Sequence, residues 1–153
     1  MIDNPTALER TLLETIPLAR AMEVSVLEYD DNRLALNAPL RCNVNDKGCA
    51  FGGSMASLMT LAGWGLINLK LGEVQCRADI YVADSSMNYL APLWDELVAE
   101  ASAEPGQNWE DFISDFNRRG KARIAIAIEM TSTQGAGVAC RMQARFVAKP
   151  AAY

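Results

Sequence analysis

Apolar positions at helical spacing open the chain. Leu8, Leu12, Leu13 and Ile16 follow an Asn4-Pro5-Thr6 start and run up to Pro17, which predicts a short amphipathic N-terminal helix. From Met22 the period changes to two. Met22, Val24 and Val26 alternate with polar residues, Asp30-Asp31-Asn32 marks a hairpin turn, and Leu34, Leu36, Ala38 and Leu40 resume the alternation, predicting two strands with one wet face. After a polar, glycine-bearing stretch over 41–53, residues 54–71 are apolar on nearly every side of a helix. Such a helix has no face to give to solvent, so other elements must enclose it.

Alternation returns at Cys76, Ala78, Ile80 and Val82, then changes parity to Met87, Tyr89 and Ala91, which predicts a β-bulge near Asp84. Pro92, Asp95 and Glu96 mark a turn before a strand through Leu97, Ala99, Ala101 and Ala103, ended by Pro105 and Gly106. Trp109, Phe112, Ile113 and Phe116 recur at helical spacing among acidic residues, predicting a short amphipathic helix closed by Gly120. Two long strands follow. One runs through Ala122, Ile124, Ile126, Ile128 and Met130, the other through Val138, Cys140, Met142, Ala144 and Phe146, with a turn over 134–137. One antiparallel sheet curled around a single apolar helix satisfies both kinds of pattern. The expectation is therefore one α+β domain over 1–153 of the hotdog type.

Composition narrows the partners. Half of the 153 residues are hydrophobic, enough for a substantial core, and a net charge of -5 would repel nucleic acid and anionic membrane surfaces. The basic stretch Arg118, Arg119, Lys121 and Arg123 is a local exception, open to reading as a solvated loop or as a place for a phosphate-rich tail. Cys42, Cys49, Cys76 and Cys140 show no CxxC spacing, and residues 1–10 carry no apolar signal stretch. A reduced, cytoplasmic setting is expected, with no metal and no cofactor. Thr60, Gly63, Gly65, Asn68 and Lys70 interrupt the longest apolar run, which suits a buried helix rather than a membrane span. The chain has no histidine, which removes the commonest general base and every Ser-His or Cys-His nucleophile. Catalysis would rest on carboxylates, hydroxyls and backbone dipoles.

The densest chemistry lies just before the apolar helix. Gly52 and Gly53 stand where backbone N–H groups lack intrahelical partners and the helix dipole is positive, a place able to polarise a carbonyl and hold its oxyanion. Close packing of helix on sheet would also favour glycine there. Asp84, continuing the alternation of Ile80 and Val82, is expected to face the helix and to activate a water, or else to accept local hydrogen bonds. Asp46 is the second carboxylate, with an Asx-turn role as the alternative. Asn45 is a candidate to position a carbonyl or water. Ser54 could cap the helix and Ser57 could bond within it, while either hydroxyl, or Thr60, could reach a ligand. Cys49, with no histidine base beside it, reads as a bystander. Met55, Met59, Met87 and Met142 read as core, with the lining of a pliable tunnel as the alternative.

The run Asn43-Val44-Asn45-Asp46-Lys47-Gly48-Cys49-Ala50-Phe51-Gly52-Gly53-Ser54 resembles the motif of the YiiD C-terminal domain group in the hotdog-fold thioesterase superfamily. The likeness continues through 61–66, 78–85 and 89–92, most of the chain. More distantly, the pattern is similar to hotdog thioesterases of the phenylacetyl-CoA type, with Asn45 at their asparagine and Gly52-Gly53 at their glycines. Phe51 then stands where those enzymes carry histidine, and Thr60 where they carry an acidic residue, so their mechanism does not transfer.

The resemblance implies hydrolysis of acyl-CoA or acyl-carrier-protein thioesters. Gly53, Asp84, Asp46 and Asn45 are its candidate catalytic set, with Phe51, Gly52, Ser54, Ser57 and Thr60 contacting substrate. A dehydratase of the same architecture generally needs histidine and is set aside. A non-catalytic acyl-thioester binding module stays open. A long sheet edge left unpaired points to a homodimer or a dimer of dimers.

Overall fold

A computed structural model describes residues 1–132, 134 and 137–152. The elements follow in the order α1 (Pro5–Thr15), α2 (Pro17–Ala21), β1 (Ser25–Asp30), β2 (Arg33–Ala38), a 3-10 turn (Leu40–Cys42), α3 (Gly52–Glu73), β3 (Ala78–Tyr89), β4 (Leu97–Ala103), α4 (Trp109–Arg119), β5 (Ala122–Thr131) and β6 (Val138–Pro150). The six strands form one antiparallel sheet in the order β1-β2-β4-β5-β6-β3. This is the α+β hotdog fold expected from the alternation of periods. Among the described residues no helix is long and apolar enough to cross a membrane. The expected turn over 134–137 includes Gly135 and Ala136, which lie outside the described residues.

Local chemistry accounts for the boundaries. Asn4 caps α1 by accepting a hydrogen bond from the Ala7 N–H at 2.9 Å, and Pro5 fits the first turn because its missing N–H has no helical partner there. Pro17 does more than end α1: it occupies the first turn of α2. Asp30 Oδ1 accepts from the N–H groups of Asn32 and Arg33 and so closes the β1–β2 hairpin. Gly120 ends α4 at φ 67°, a left-handed conformation in which a Cβ would be strained.

The core lies between α3 and the concave face of the sheet. Leu58, Met59, Leu66, Ile67 and Leu69 of α3 are fully buried, as are Leu34 and Leu36 of β2, Leu97 and Ala99 of β4, and Ile126 of β5. Each large aliphatic chain removed from water in this way contributes about 1.5–3 kcal/mol. Close approach is set by small residues of α3: a Cβ on Gly63 would stand 2.8 Å from the Phe146 ring.

The expectation of a completely enclosed helix needs correction. Gly53, Ser57, Thr60, Trp64 and Asn68 form a stripe along α3 that stays partly open to solvent. Sheet and N-terminal segment cover the remaining sides, and one sheet cannot close on itself around a helix at both edges. The open stripe lies towards β3, whose helix-side residues Val82 and Tyr89 are also about half exposed. A partly exposed strip thus runs between the first half of α3 and the edge strand.

Candidate active site

The head of this strip is the first turn of α3. The helix begins at Gly52, two residues earlier than the apolar pattern suggested, so the glycines form its first turn instead of preceding it. Its N-cap residue is Phe51, and no side chain caps it. Ser54 therefore does not act as a cap. No acceptor among the described residues reaches the N–H groups of Gly52, Gly53 or Ser54; the first satisfied amide is that of Met55, bonded to the Phe51 carbonyl at 3.0 Å. Three aligned donors at the positive end of a 22-residue helix favour an anion or a carbonyl oxygen gaining charge.

Loop 43–51 delivers this turn. Asn43, only 2% exposed, holds the Phe51 N–H on its carbonyl at 2.7 Å. Its side-chain amide donates to the carbonyls of Met22 and Pro39, tying the helix start to the ends of α2 and β2. Val44 and Ala50 form an antiparallel bridge, and the Ala50 N–H reaches the Leu93 carbonyl at 2.8 Å. The sequence argument met Asn43 only as the first residue of the 43–54 run; its anchoring role depends on segments distant in the chain.

Asn45 is spent inside the loop. Its Oδ1 accepts from the N–H groups of Lys47 and Cys49, and its Nδ2 lies 3.1 Å from Cys49 Sγ. It thus shapes the loop and keeps buried Cys49 partnered. Asp46 projects from the same loop with its side chain 80% exposed, and Lys47 Nζ lies 3.0 Å from its Oδ1. Ser57 donates to the Gly53 carbonyl at 2.8 Å and Thr60 to the Ala56 carbonyl at 2.9 Å, with Met142 Sδ 3.9 Å from the Thr60 hydroxyl. Both hydroxyls lie along the open stripe. Of the four methionines singled out above, Met55, Met59 and Met142 are core, and Met87 is half-buried on the helix side of β3.

Asp84 is not where the alternation placed it. The register pairs Val82 with Phe146 and Asp84 with Arg145, so the unpaired bulge residue is Ala83. A bulge reverses the facing of everything after it. Asp84 consequently shares the outer face with exposed Arg145, while Ser85, opposite buried Ala144, takes the inner face. Asp84 and Arg145 form a fork of hydrogen bonds, and the guanidinium holds the carboxyl below its usual range. A carboxylate on the far side of the sheet cannot activate a water beside α3.

Two aromatic rings escaped the sequence argument or were cast differently in it. The Phe51 ring lies against Gly53, where an added Cβ would stand 2.5 Å from it. The Tyr89 ring lies over Gly52, and its hydroxyl donates to the Gly52 carbonyl at 3.0 Å. Partial desolvation raises the Tyr89 phenol above its ordinary value, with Cys140 adding to it, so the phenol stays a proton donor at neutral pH. The basic stretch 118–123 is remote: α4 meets the C-terminal end of α3, where Lys70 lies over the Trp109 ring.

The putative thioesterase family named for the YiiD C-terminal domain matches residues 5–150. The chain belongs to that family. Among solved structures, a protein of unknown function from Chlorobaculum tepidum TLS superposes with a TM-score of 0.89 at 25% identity, covering 98% of this chain and 99% of its own. A Shewanella oneidensis protein described as a putative thioesterase gives 0.86 at 27% identity, with 95% and 97% covered. A Pseudomonas aeruginosa protein described as a probable thioesterase shares the fold, at a TM-score of 0.81 and 19% identity over 97% of each chain. Among the described residues, α3 and the five-residue α2 are the α-helices that start without a side-chain cap.

Proposed function

We propose that this member of the family hydrolyses acyl-CoA or acyl-carrier-protein thioesters at the open first turn of α3. The observation that carries the reading is the set of unpartnered amides at Gly52, Gly53 and Ser54, at the head of a partly exposed strip that carries the Ser57 and Thr60 hydroxyls. The acyl chain lies along that strip beside Ser57 and Thr60. The thioester oxygen meets the Gly53 N–H, with Gly52 and Phe51 against it. As a water oxygen bonds to the carbonyl carbon, the oxygen gains charge where the helix dipole is positive, and the C–S bond then breaks. The water's proton passes to a carboxylate and from there to the departing thiolate.

Asp46 is the carboxylate assigned that transfer, because it is exposed and rides on the loop that enters α3. Asn45 supports it by shaping the loop. Asp84, on the outer face, is not part of this proposal.

A second copy of the chain completes the site. The β1 edge is blunted: the Glu9 carboxylate accepts from the Val26 N–H at 2.8 Å, and the register breaks between Val26 and Glu28. Among the described residues no strand pairs with the free side of the twelve-residue β3 edge. Exposed Tyr81, Val82 and Tyr89 on it, with Phe51 and Leu90 nearby, are apolar surface that a homodimer, or a dimer of dimers, would bury.

The test is thiol release from a panel of acyl-CoA esters and an acyl-carrier-protein ester. Turnover is expected, with Asp46→Asn reducing kcat by about 10²-fold or more and Asp84→Asn leaving it intact. Saturable binding with no thiol release from the parent would replace the hydrolase with the binding module. Sedimentation should show at least two chains per particle, and a fully active monomer would remove the composite site.

A further inference from the structure

We infer that Tyr89 is a positioning residue that aims the Gly53 N–H, acting through the Gly52 carbonyl; the inference rests on the thioesterase reading above. The Gly52 C=O and the Gly53 N–H are the two ends of one peptide plane. A donor holding the carbonyl end therefore fixes the direction of the N–H end, and by polarising the amide it makes that N–H a better donor. The Tyr89 hydroxyl supplies such a donor at 3.0 Å.

The tether is anchored on both sides. Tyr89 pairs with Cys140 on β6, and the following N–H groups of Leu90 and Ala91 both bond to the Ala139 carbonyl, at 2.8 and 3.2 Å. The ring reaches over Gly52 so closely that a Cβ there would lie 3.3 Å from Cε1. Phe51 stacks on Gly53 from its own side. Two consecutive glycines at a helix start would otherwise be the most mobile peptide of the site. Glycine admits the rings, and the rings remove the freedom that glycine brings. Tyr89 has no part in bond making; its hydroxyl sets the geometry of the group that does.

The experiment compares the parent with Tyr89→Phe, which keeps the ring and deletes the hydroxyl. Expected results are a kcat lower by about tenfold, a KM within about twofold, and an unchanged melting temperature. The 15N resonance of Gly53 should move in Tyr89→Phe while that of Gly120 stays. A double-mutant cycle between Gly52→Ala and Tyr89→Ala should be non-additive in kcat, because removing the ring relieves the added methyl. A kcat equal to the parent's, a change confined to KM, or an unmoved Gly53 resonance overturns the inference. A parent that releases no thiol from any ester removes the hydrolase reading instead, and the Gly53 resonance then decides the tether alone.

Discussion

The starts of α3 and α4 solve the same physical problem in opposite ways. Both helices begin with N–H groups that no carbonyl of their own can reach. In α4, Asn108 turns its side chain back to accept from the Asp111 N–H at 3.1 Å, and Glu110 and Asp111 add negative charge to the first turn. In α3 the cap position holds Phe51, the first turn has no acidic residue, and aromatic rings lie over its glycines without accepting from their amides. Of these two helices, the one packed along the core is thus the one whose start is left unsatisfied. A closed start serves stability, whereas an open one keeps its donors for something the chain itself does not supply.

Deleting an open donor should break this contrast most sharply. Gly53→Pro removes the amide while remaining compatible with a first helical turn, and the half-exposed Phe51 ring has room to move aside. Thiol-release kinetics should show kcat lower by about 10²–10³-fold with the far-ultraviolet spectrum retained. Equal turnover would mean that the open start has no role in the reaction. Deeper in the same helix a glycine answers to packing instead. Gly63→Ala forces a methyl onto the fully buried Phe146 ring and should cost about 1–3 kcal/mol in denaturant unfolding.

At the closed start the expected effect is smaller and purely structural. Asn108→Ala should cost about 1 kcal/mol of stability and leave kcat/KM untouched. The smallest effect belongs to the outer face. Arg145 depresses the Asp84 pKa, so the pair's contribution is present above the unfolded carboxyl value of about 3.9 and fades as pH falls through the lower folded value. Asp84→Asn should therefore flatten the acid limb of the stability curve slightly, with activity at neutral pH unchanged. Loss of turnover in that variant would return Asp84 to the reaction and contradict the register described above.

The amino-acid sequence by itself determined the order of elements, the apolar helix, the existence of a bulge before Met87, the capping of α4 by Gly120 and the family motif across 43–54. Each of these is a local pattern, written in the spacing of neighbouring residues. Tertiary structure alone decided on which side of the bulge Asp84 falls, because a one-residue difference in bulge position sends that carboxylate through the sheet. It also decided that Asn45 folds back into its own loop and that Tyr89, 37 residues beyond Gly52, lies over the helix start. Register and the approach of distant segments follow from how the whole core packs, and no local period encodes them.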